Sequence, residues 1–192
     1  YIEYGIGKIG YFPEDSFSKD EIERIKTNMM KEKKEKKEKL VKIDDEGVTF
    51  KSFIDGSLHR LTPEKSIGIQ EKLNSDIMFV LDECTSVFND YESLERTHKW
   101  ALRCLDARKS RNALFGIVQG GIYKDLRKKS AEFISANGFD GIGIGGFLGK
   151  NKKEMQELTK YTLKFIDKEK PIHFLGIGAV EDLFFSIQHG ID

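Results

Sequence analysis

The chain has 192 residues and a mass of 22.0 kDa, and 39% of its residues are hydrophobic, so it can bury the core of one domain. Its 32 Lys and Arg residues balance 32 Asp and Glu residues, which argues against the strong positive field of a dedicated nucleic-acid-binding protein. Two cysteines, Cys84 and Cys104, argue against a disulfide scaffold or a zinc ribbon and favour a reducing, cytoplasmic compartment. Because there is no signal peptide and no apolar run of about 18 residues, we predict neither secretion nor a membrane span.

Residues 1–41 differ in composition from the rest and are predicted to be a charged, partly helical N-terminal extension. A helix is predicted from Ser18, which can cap it, with Ile25 and Met29 at helical spacing. Residues 31–39 mix lysine and glutamate with no apolar residue. This run is typical of a solvated helix with i,i+3 and i,i+4 ion pairs, and a patch that faces phosphates is the alternative.

A β-hairpin is predicted over residues 48–61, because apolar and polar residues alternate on both sides of Asp55 and Gly56. An Asp-Gly pair is a strong signal for a two-residue turn, since glycine adopts positive φ at little cost. A helix is predicted to begin at Pro63, with Thr62 as its cap.

The remainder of the chain repeats one pattern, a short apolar run followed by an amphipathic segment. The runs occupy residues 77–81, 113–118, 139–144 and 172–175, and the amphipathic segments occupy residues 91–109, 123–136, 151–166 and 179–188. Asn151 is predicted to cap the third of these segments. Four consecutive βα units predict a parallel sheet with helical crossovers. An open doubly wound sheet and a (β/α)8 barrel both fit this pattern, and both place ligand sites at the carboxyl ends of the strands.

Polar residues and glycines follow all four predicted strands. Asp82 and Cys84 follow the first, Gln119 the second and Gly146 the third, and residues 176–178 follow the fourth. A carboxylate can accept two N–H donors, an amide both donates and accepts, and glycines let a ligand approach backbone N–H groups. These residues are consistent with a pocket for a flat, polar heterocycle such as a purine base, or with strand-end turns whose polar residues have no shared role.

Other local patterns do not indicate sites. Residues 141–146 match G-x-G-x-x-G, but the glycines lie within a predicted strand, so a dinucleotide site is not expected. Cys84 has no nearby histidine to activate it and is interpreted as a buried or pocket-wall thiol. The four histidines lie in unrelated contexts, so no metal cluster is predicted.

Motifs that share one order along the chain occupy residues 46–52, 54–57, 61–66, 76–77, 81–85, 95–97, 100–101, 114–121, 125–127, 144–146, 170–171, 175–178 and 190–192. In this order they resemble the tRNA-guanine transglycosylase (queuine tRNA-ribosyltransferase) family, and the resemblance covers residues 42–192. It implies a (β/α)8 barrel, of which this chain would hold four βα units plus a hairpin. It also implies a cytoplasmic enzyme that exchanges the wobble guanine of tRNA for a 7-deazaguanine base, either prequeuosine base or queuine, through a covalent RNA–enzyme intermediate.

The resemblance also implies roles for individual residues. Asp82 matches the acid that binds the guanine edge, Gln119 the amide that binds the base, and Gly146 the N–H at its carbonyl. Phe147 stands where the family usually has a leucine whose backbone shapes specificity. We also count Cys84, as a pocket-wall thiol, among the expected substrate-binding residues. A loop that contacts tRNA matches Gly176, Ile177, Gly178, Ala179, Val180, Glu181 and Asp182.

The departures from the family pattern concern catalysis. The family's general-base motif is expected just before Lys42, where the lysine- and glutamate-rich run stands instead. The nucleophilic aspartate is expected a few residues after Asp192, and the family's zinc ligands further on. We therefore expect a partial chain that carries the base-binding half, with no catalytic residue and no metal ligand of its own.

Two alternatives have different consequences. A non-catalytic homologue would act as a partner subunit or RNA-binding module and would use residues 31–39 to contact phosphates. An unrelated barrel enzyme would bind phosphate at residues 176–178. The family is typically dimeric, so a homodimer or a heterodimer is expected.

Overall fold

Two sheets and five helices make up residues 41–84 and 91–192, the parts of the chain that the computed structural model describes. The predicted helix from Ser18 and the charged run at residues 31–39 lie outside them. Within these two parts, no helix is both long enough and apolar enough to cross a membrane.

The first sheet is an antiparallel meander. Its strands are β1 (Val41–Asp44), β2 (Gly47–Lys51) and β3 (Leu58–Leu61), in the order β1-β2-β3. Strand β1 was not predicted. It pairs with β2 because the Asp44 carboxylate accepts the backbone N–H groups of Glu46 and Gly47, at 3.0 and 3.2 Å, which closes a tight turn.

The predicted hairpin at residues 48–61 is present, but its predicted two-residue turn is wrong. Strand β2 ends at Lys51 and β3 begins at Leu58, so residues 52–57 connect them. Asp55 Oδ1 accepts both the N–H and the hydroxyl of Ser57, at 3.0 and 2.7 Å. Side-chain bonds of this kind compete with strand pairing and hold the backbone in a wider loop.

Helix α1 (Pro63–Lys72) leads into the first parallel strand, β4 (Ile77–Phe79). Thr62 caps α1 as predicted, since its Oγ1 accepts the Lys65 N–H at 3.3 Å. The Gln70 side chain donates to the Phe79 carbonyl and accepts the Phe79 N–H, each at 2.9 Å. An amide side chain thereby satisfies backbone groups at the open edge of β4, where the predicted strand extended to residue 81.

The predicted four βα units are confirmed. After β4 come α2 (Tyr91–Ala107), β5 (Ala113–Val118), α3 (Lys124–Ala136), β6 (Gly141–Ile144), α4 (Lys152–Thr162), β7 (Ile172–Phe174) and α5 (Val180–Gln188). Strands β4 to β7 are parallel and lie in chain order, without a reversal. A barrel wall has this order, whereas a doubly wound sheet reverses direction. The described residues contain these four parallel strands, and closure into a (β/α)8 barrel stays a prediction.

The core lies between the parallel sheet and helices α1 to α4. Its central members, all with no exposed surface, are Ile67, Met78, Ala101, Cys104, Leu114, Val118, Ala131, Ile134, Ile142 and Ile144. Asn151 caps α4 as predicted, accepting the Glu154 N–H at 2.9 Å. Strands β5 and β6 are buried on both faces, as is typical of parallel strands covered by helices.

The meander is joined to the parallel sheet through α2. Trp100 is fully buried, and its Nε1 donates to the Asp45 carbonyl at 2.7 Å. Arg103 donates to both carboxylate oxygens of Glu64, at 2.7 and 3.0 Å. These contacts hold the β1–β2 turn and α1 against one face of α2.

Replacing Trp100 by phenylalanine tests this junction. We expect the free energy of unfolding to fall by about 2 kcal/mol, because the change leaves a cavity and removes the donor to the Asp45 carbonyl. Urea denaturation followed by circular dichroism measures it. The control is Phe53→Ala, whose side chain is 98% exposed and whose change should stay within about 0.5 kcal/mol. Equal effects of the two substitutions would contradict the role of Trp100.

Candidate functional site

The carboxyl ends of three neighbouring strands bring together three of the predicted base-binding residues. Asp82 follows β4, Gln119 follows β5 and Gly146 follows β6. The Gln119 Nε2 donates to the Asp82 Oδ2. A Cβ placed on Gly146 would lie only 2.2 Å from the Gln119 Oε1, so this glycine and the amide are in direct contact.

The Gln119 side chain is 1% exposed, and its Oε1 has no hydrogen-bond partner among the described residues. A buried acceptor without a partner costs about 1–3 kcal/mol, and a ligand that donates to it would remove that cost. The amide orientation follows from the bond to Asp82, which needs the Nε2 as donor. This leaves the Oε1 facing Gly146.

Asp82 is half-buried, and removal of its carboxyl from water raises its pKa, against the opposing effect of the Gln119 hydrogen bond. The Gln119 Nε2 occupies one carboxylate oxygen, Oδ2. A carboxylate in this position can accept further N–H donors from a planar ligand, and their bonds would offset the cost of burying the charge.

Gly146 has a φ of 79°, in the left-handed region that residues other than glycine rarely adopt. Its own N–H donates to no acceptor within residues 41–84 and 91–192. The site therefore combines an available backbone donor with the orphan amide acceptor and the carboxylate.

Arg127 lies behind this site. It belongs to the motif at residues 125–127, but the sequence predicted no role for it. It is fully buried on α3 and donates to four backbone carbonyls, those of Val118, Gly121, Gly145 and Phe147. Burial lowers its pKa to about 10, which leaves the guanidinium charged at neutral pH. A signal was present in the sequence, because Arg127 shares the inner face of α3 with Ala131 and Ile134.

A second buried group supports Gln119 from the same helix. The Ser130 Oγ accepts the Gln119 backbone N–H at 3.0 Å and lies 3.2 Å from the His98 Nε2. The His98 ring stacks on Phe133 with centroids 4.0 Å apart. Burial lowers the pKa of His98 to about 4, so its imidazole is neutral at pH 7. The bond between His98 and Ser130 depends on the packing of two helices.

The loop after β4 is held by ion pairs. The Glu83 N–H donates to the Thr97 Oγ1 at 3.0 Å, and Arg96 pairs with the Glu83 carboxylate at 2.5 Å. Arg96 also pairs with Asp45 at 3.1 Å. The backbone next to Asp82 is therefore anchored to α2.

The remaining predicted base-binding residues are Cys84 and Phe147. Cys84 is exposed, so it is not a buried thiol, and its place in the pocket wall stays a prediction. Phe147 is half-buried, and its carbonyl accepts from Arg127 at 3.1 Å. Its backbone is thus tied to the same guanidinium as Gly145.

The predicted tRNA-binding residues 176–182 run from the end of β7 into the first turn of α5, at the same edge of the sheet. Most of them are exposed, including Gly176, Gly178, Val180 and Glu181. Asp182 is 7% exposed, and its Oδ1 lies 3.6 Å from the Lys152 Nζ. Its side chain thus faces α4, whereas the Val180 and Glu181 side chains are exposed.

Metal ligands do not come together in the described part of the chain. No group of three His, Cys, Asp or Glu side chains there could hold a metal ion. The described residues do not form a zinc site, so we assign zinc no role in their chemistry.

Comparison with known proteins shows a family likeness over most of the chain. The model of the family described as "Queuine tRNA-ribosyltransferase" matches residues 22–192. This match starts within residues 1–41, where the sequence motifs had indicated no likeness.

Individual relatives agree. A protein of Archaeoglobus fulgidus, named provisionally as a queuine tRNA-ribosyltransferase, is 44% identical over 100% of this chain and 47% of its own length. The queuine tRNA-ribosyltransferases of Herpetosiphon aurantiacus and Roseiflexus sp. RS-1 are 48% and 43% identical over 79% and 80% of this chain, and over 40% and 42% of their own lengths. The chain spans less than half the length of each of these relatives.

Alanine at Gly146 tests the geometry of the site. We expect Gly146→Ala to lower the free energy of unfolding by about 2–3 kcal/mol, because its φ is unfavourable for alanine and the methyl group would overlap the Gln119 Oε1. Urea denaturation measures the change. The matched control is Gly68→Ala in α1, where a Cβ meets no atom within 4 Å and helix propensity should raise stability by roughly 0.5–1 kcal/mol. Stabilisation by both substitutions would contradict the contact between Gly146 and Gln119.

Proposed function

The chain belongs to the queuine tRNA-ribosyltransferase family, and we propose that residues 41–192 bind the base that such an enzyme exchanges. The complete protein would be a cytoplasmic pentosyltransferase that replaces the wobble guanine of tRNA by a 7-deazaguanine base, prequeuosine base or queuine. The observation that carries the proposal is the buried, unpartnered Gln119 Oε1 between Asp82 and Gly146.

The hydrogen-bonding groups of the site complement those of a guanine-like base. The Asp82 carboxylate would accept the two adjacent N–H donors on the Watson–Crick edge, and the Gly146 N–H would donate to the ring carbonyl. The Gln119 Oε1 lies between these two groups and would share the ring N–H next to the carbonyl with the Asp82 carboxylate. Each buried polar group then has a partner, which an unrelated ligand without this pattern would not supply.

Base binding is the step that we assign to these residues. By its resemblance to the family, the nucleophilic aspartate that attacks the ribose C1′ follows Asp192, and the general base belongs to the motif expected before Lys42. We therefore name no residue of this chain as catalytic. The loop of residues 176–182 would contact the tRNA, and pairing of two chains as a homodimer or a heterodimer stays a prediction.

The second candidate is a non-catalytic homologue that serves as a partner subunit or RNA-binding module. The observation that favours it is the run of residues 31–39, with six positive and three negative charges. Such a run would contact phosphates, and its contribution to binding would weaken steeply with salt.

Asparagine at Asp82 tests the base site. We expect Asp82→Asn to weaken binding of 7-deazaguanine by roughly 10-fold to 100-fold, because an amide donor then faces a donor on the base. Asparagine can still accept the Gln119 bond and avoids a buried charge, so the free energy of unfolding at pH 7 should not fall. Calorimetry and urea denaturation measure the two quantities. Asp106→Asn, an exposed carboxylate on α2, is the control and should change neither. Unchanged affinity in the Asp82 variant would refute the assignment.

Turnover on tRNA tests whether this chain lacks the catalytic groups, and the salt dependence of tRNA binding separates the two candidates. We expect the 192-residue chain to bind the base and to incorporate no labelled guanine into tRNA, with the Herpetosiphon aurantiacus relative as the positive control. Incorporation by this chain would contradict our assignment. A tRNA affinity that falls steeply with salt, and loses that dependence when residues 1–41 are deleted, would favour the RNA-binding candidate.

A further inference from the structure

Arg127 is a buried cation without a carboxylate partner in the described part of the chain. All of its hydrogen bonds go to backbone carbonyls, and its side chain has no exposed surface. A buried charge is costly to retain, and uncharged carbonyls repay that cost less fully than a carboxylate would. An apolar residue could fill the same space but would leave these carbonyls without the guanidinium donor, so Arg127 determines how the strand-end backbone is held.

Two of the four carbonyls flank Gly146. The Arg127 Nη1 donates to the Gly145 carbonyl at 2.7 Å, and its Nη2 donates to the Phe147 carbonyl at 3.1 Å. The Gly145 carbonyl and the Gly146 N–H belong to one peptide group. The guanidinium therefore contacts the opposite end of the same peptide that carries the available donor of the base site.

The hydrogen bond from Arg127 to the Gly145 carbonyl also affects the Gly146 N–H at the other end of the peptide. The Gly145–Gly146 peptide is trans, so its C=O and N–H point in opposite directions, and the Gly146 N–H points away from Arg127. A charged donor on the carbonyl polarises the peptide and makes its N–H a stronger donor, the more so where the dielectric constant is low.

The same guanidinium also reaches the neighbouring strand. The Arg127 Nε donates to the Gly121 carbonyl at 2.8 Å, on the segment that directly follows Gln119. The fork geometry of the guanidinium thus sets the distance between the Gln119 segment and the Gly146 segment.

We propose that Arg127 is a positioning residue for base recognition, which orients and polarises the Gly145–Gly146 peptide so that the site selects a base with a carbonyl oxygen at that position. This inference rests on the proposed base-binding function. It adds a selectivity element that lies outside the pocket and touches no part of the ligand.

The test compares two bases in two variants of the full 192-residue chain. The bases are 7-deazaguanine and 7-deaza-6-thioguanine, which keep the same N–H donors and differ in the acceptor, since sulfur accepts a hydrogen bond more weakly than oxygen. The variants are Arg127→Lys, which keeps the charge but not the fork, and Arg127→Met, which loses both. Arg111→Lys and Arg111→Met, at an exposed arginine, are the matched controls.

We expect calorimetry to show that Arg127→Met weakens oxo-base binding by roughly 10-fold and thio-base binding by no more than about 3-fold. Arg127→Lys should show a smaller loss, so that the conservative variant partly rescues the oxo preference. The amide proton of Gly146 should shift upfield in both variants without ligand, which reports a weaker donor. The Arg111 controls should leave the oxo-to-thio ratio unchanged.

Other outcomes would contradict either the proposed function or this inference alone. If the unmodified chain binds neither base, the proposed function fails, and this inference fails with it. If the unmodified chain binds but the Arg127 variants weaken both bases equally, Arg127 only supports the fold and the inference alone is overturned. If Arg127→Met does not fold, Arg127→Lys decides the question. Failure of both variants to fold would also assign Arg127 to stability and overturn the positioning role.

Discussion

A single buried guanidinium connects the elements on which the candidate site depends. Arg127 on α3 bonds to carbonyls at the carboxyl ends of β5 and β6, the points from which Gln119 and Gly146 emerge. The carbonyls of Gly121, Gly145 and Phe147 lie beyond the ends of the strands, where the sheet supplies no partner for them. A side chain with five donors in a rigid fork satisfies several of them at once, which fixes the two loops relative to each other.

The site is built from groups that are individually unfavourable. Asp82 carries a raised pKa because it is removed from water, Gln119 holds an acceptor without a partner, and Gly146 has a backbone conformation that excludes side chains. Such features cost stability in the free protein, and they are typical of sites whose partners arrive with a ligand. Their convergence at one edge of a parallel sheet is what distinguishes them from scattered imperfections of packing.

Membership of the family and the position of this site support each other. The chain spans less than half the length of its relatives. In our proposal its residues bind the base, and the nucleophile belongs to another segment. Binding and displacement would therefore rest on separate segments. Such a division suits a barrel, in which each strand contributes one or two residues to a shared site.

The sequence by itself determined the four βα units, the caps at Thr62 and Asn151 and the three strand-end residues Asp82, Gln119 and Gly146, because local periodicity and capping chemistry act over a few residues. It did not determine strand β1 or the wide loop at residues 52–57, where side-chain bonds of Asp44 and Asp55 outweigh turn propensity. The role of Arg127 and the bond between His98 and Ser130 were decided only by tertiary structure. Those contacts join groups distant in sequence, and only packing brings them within hydrogen-bonding distance.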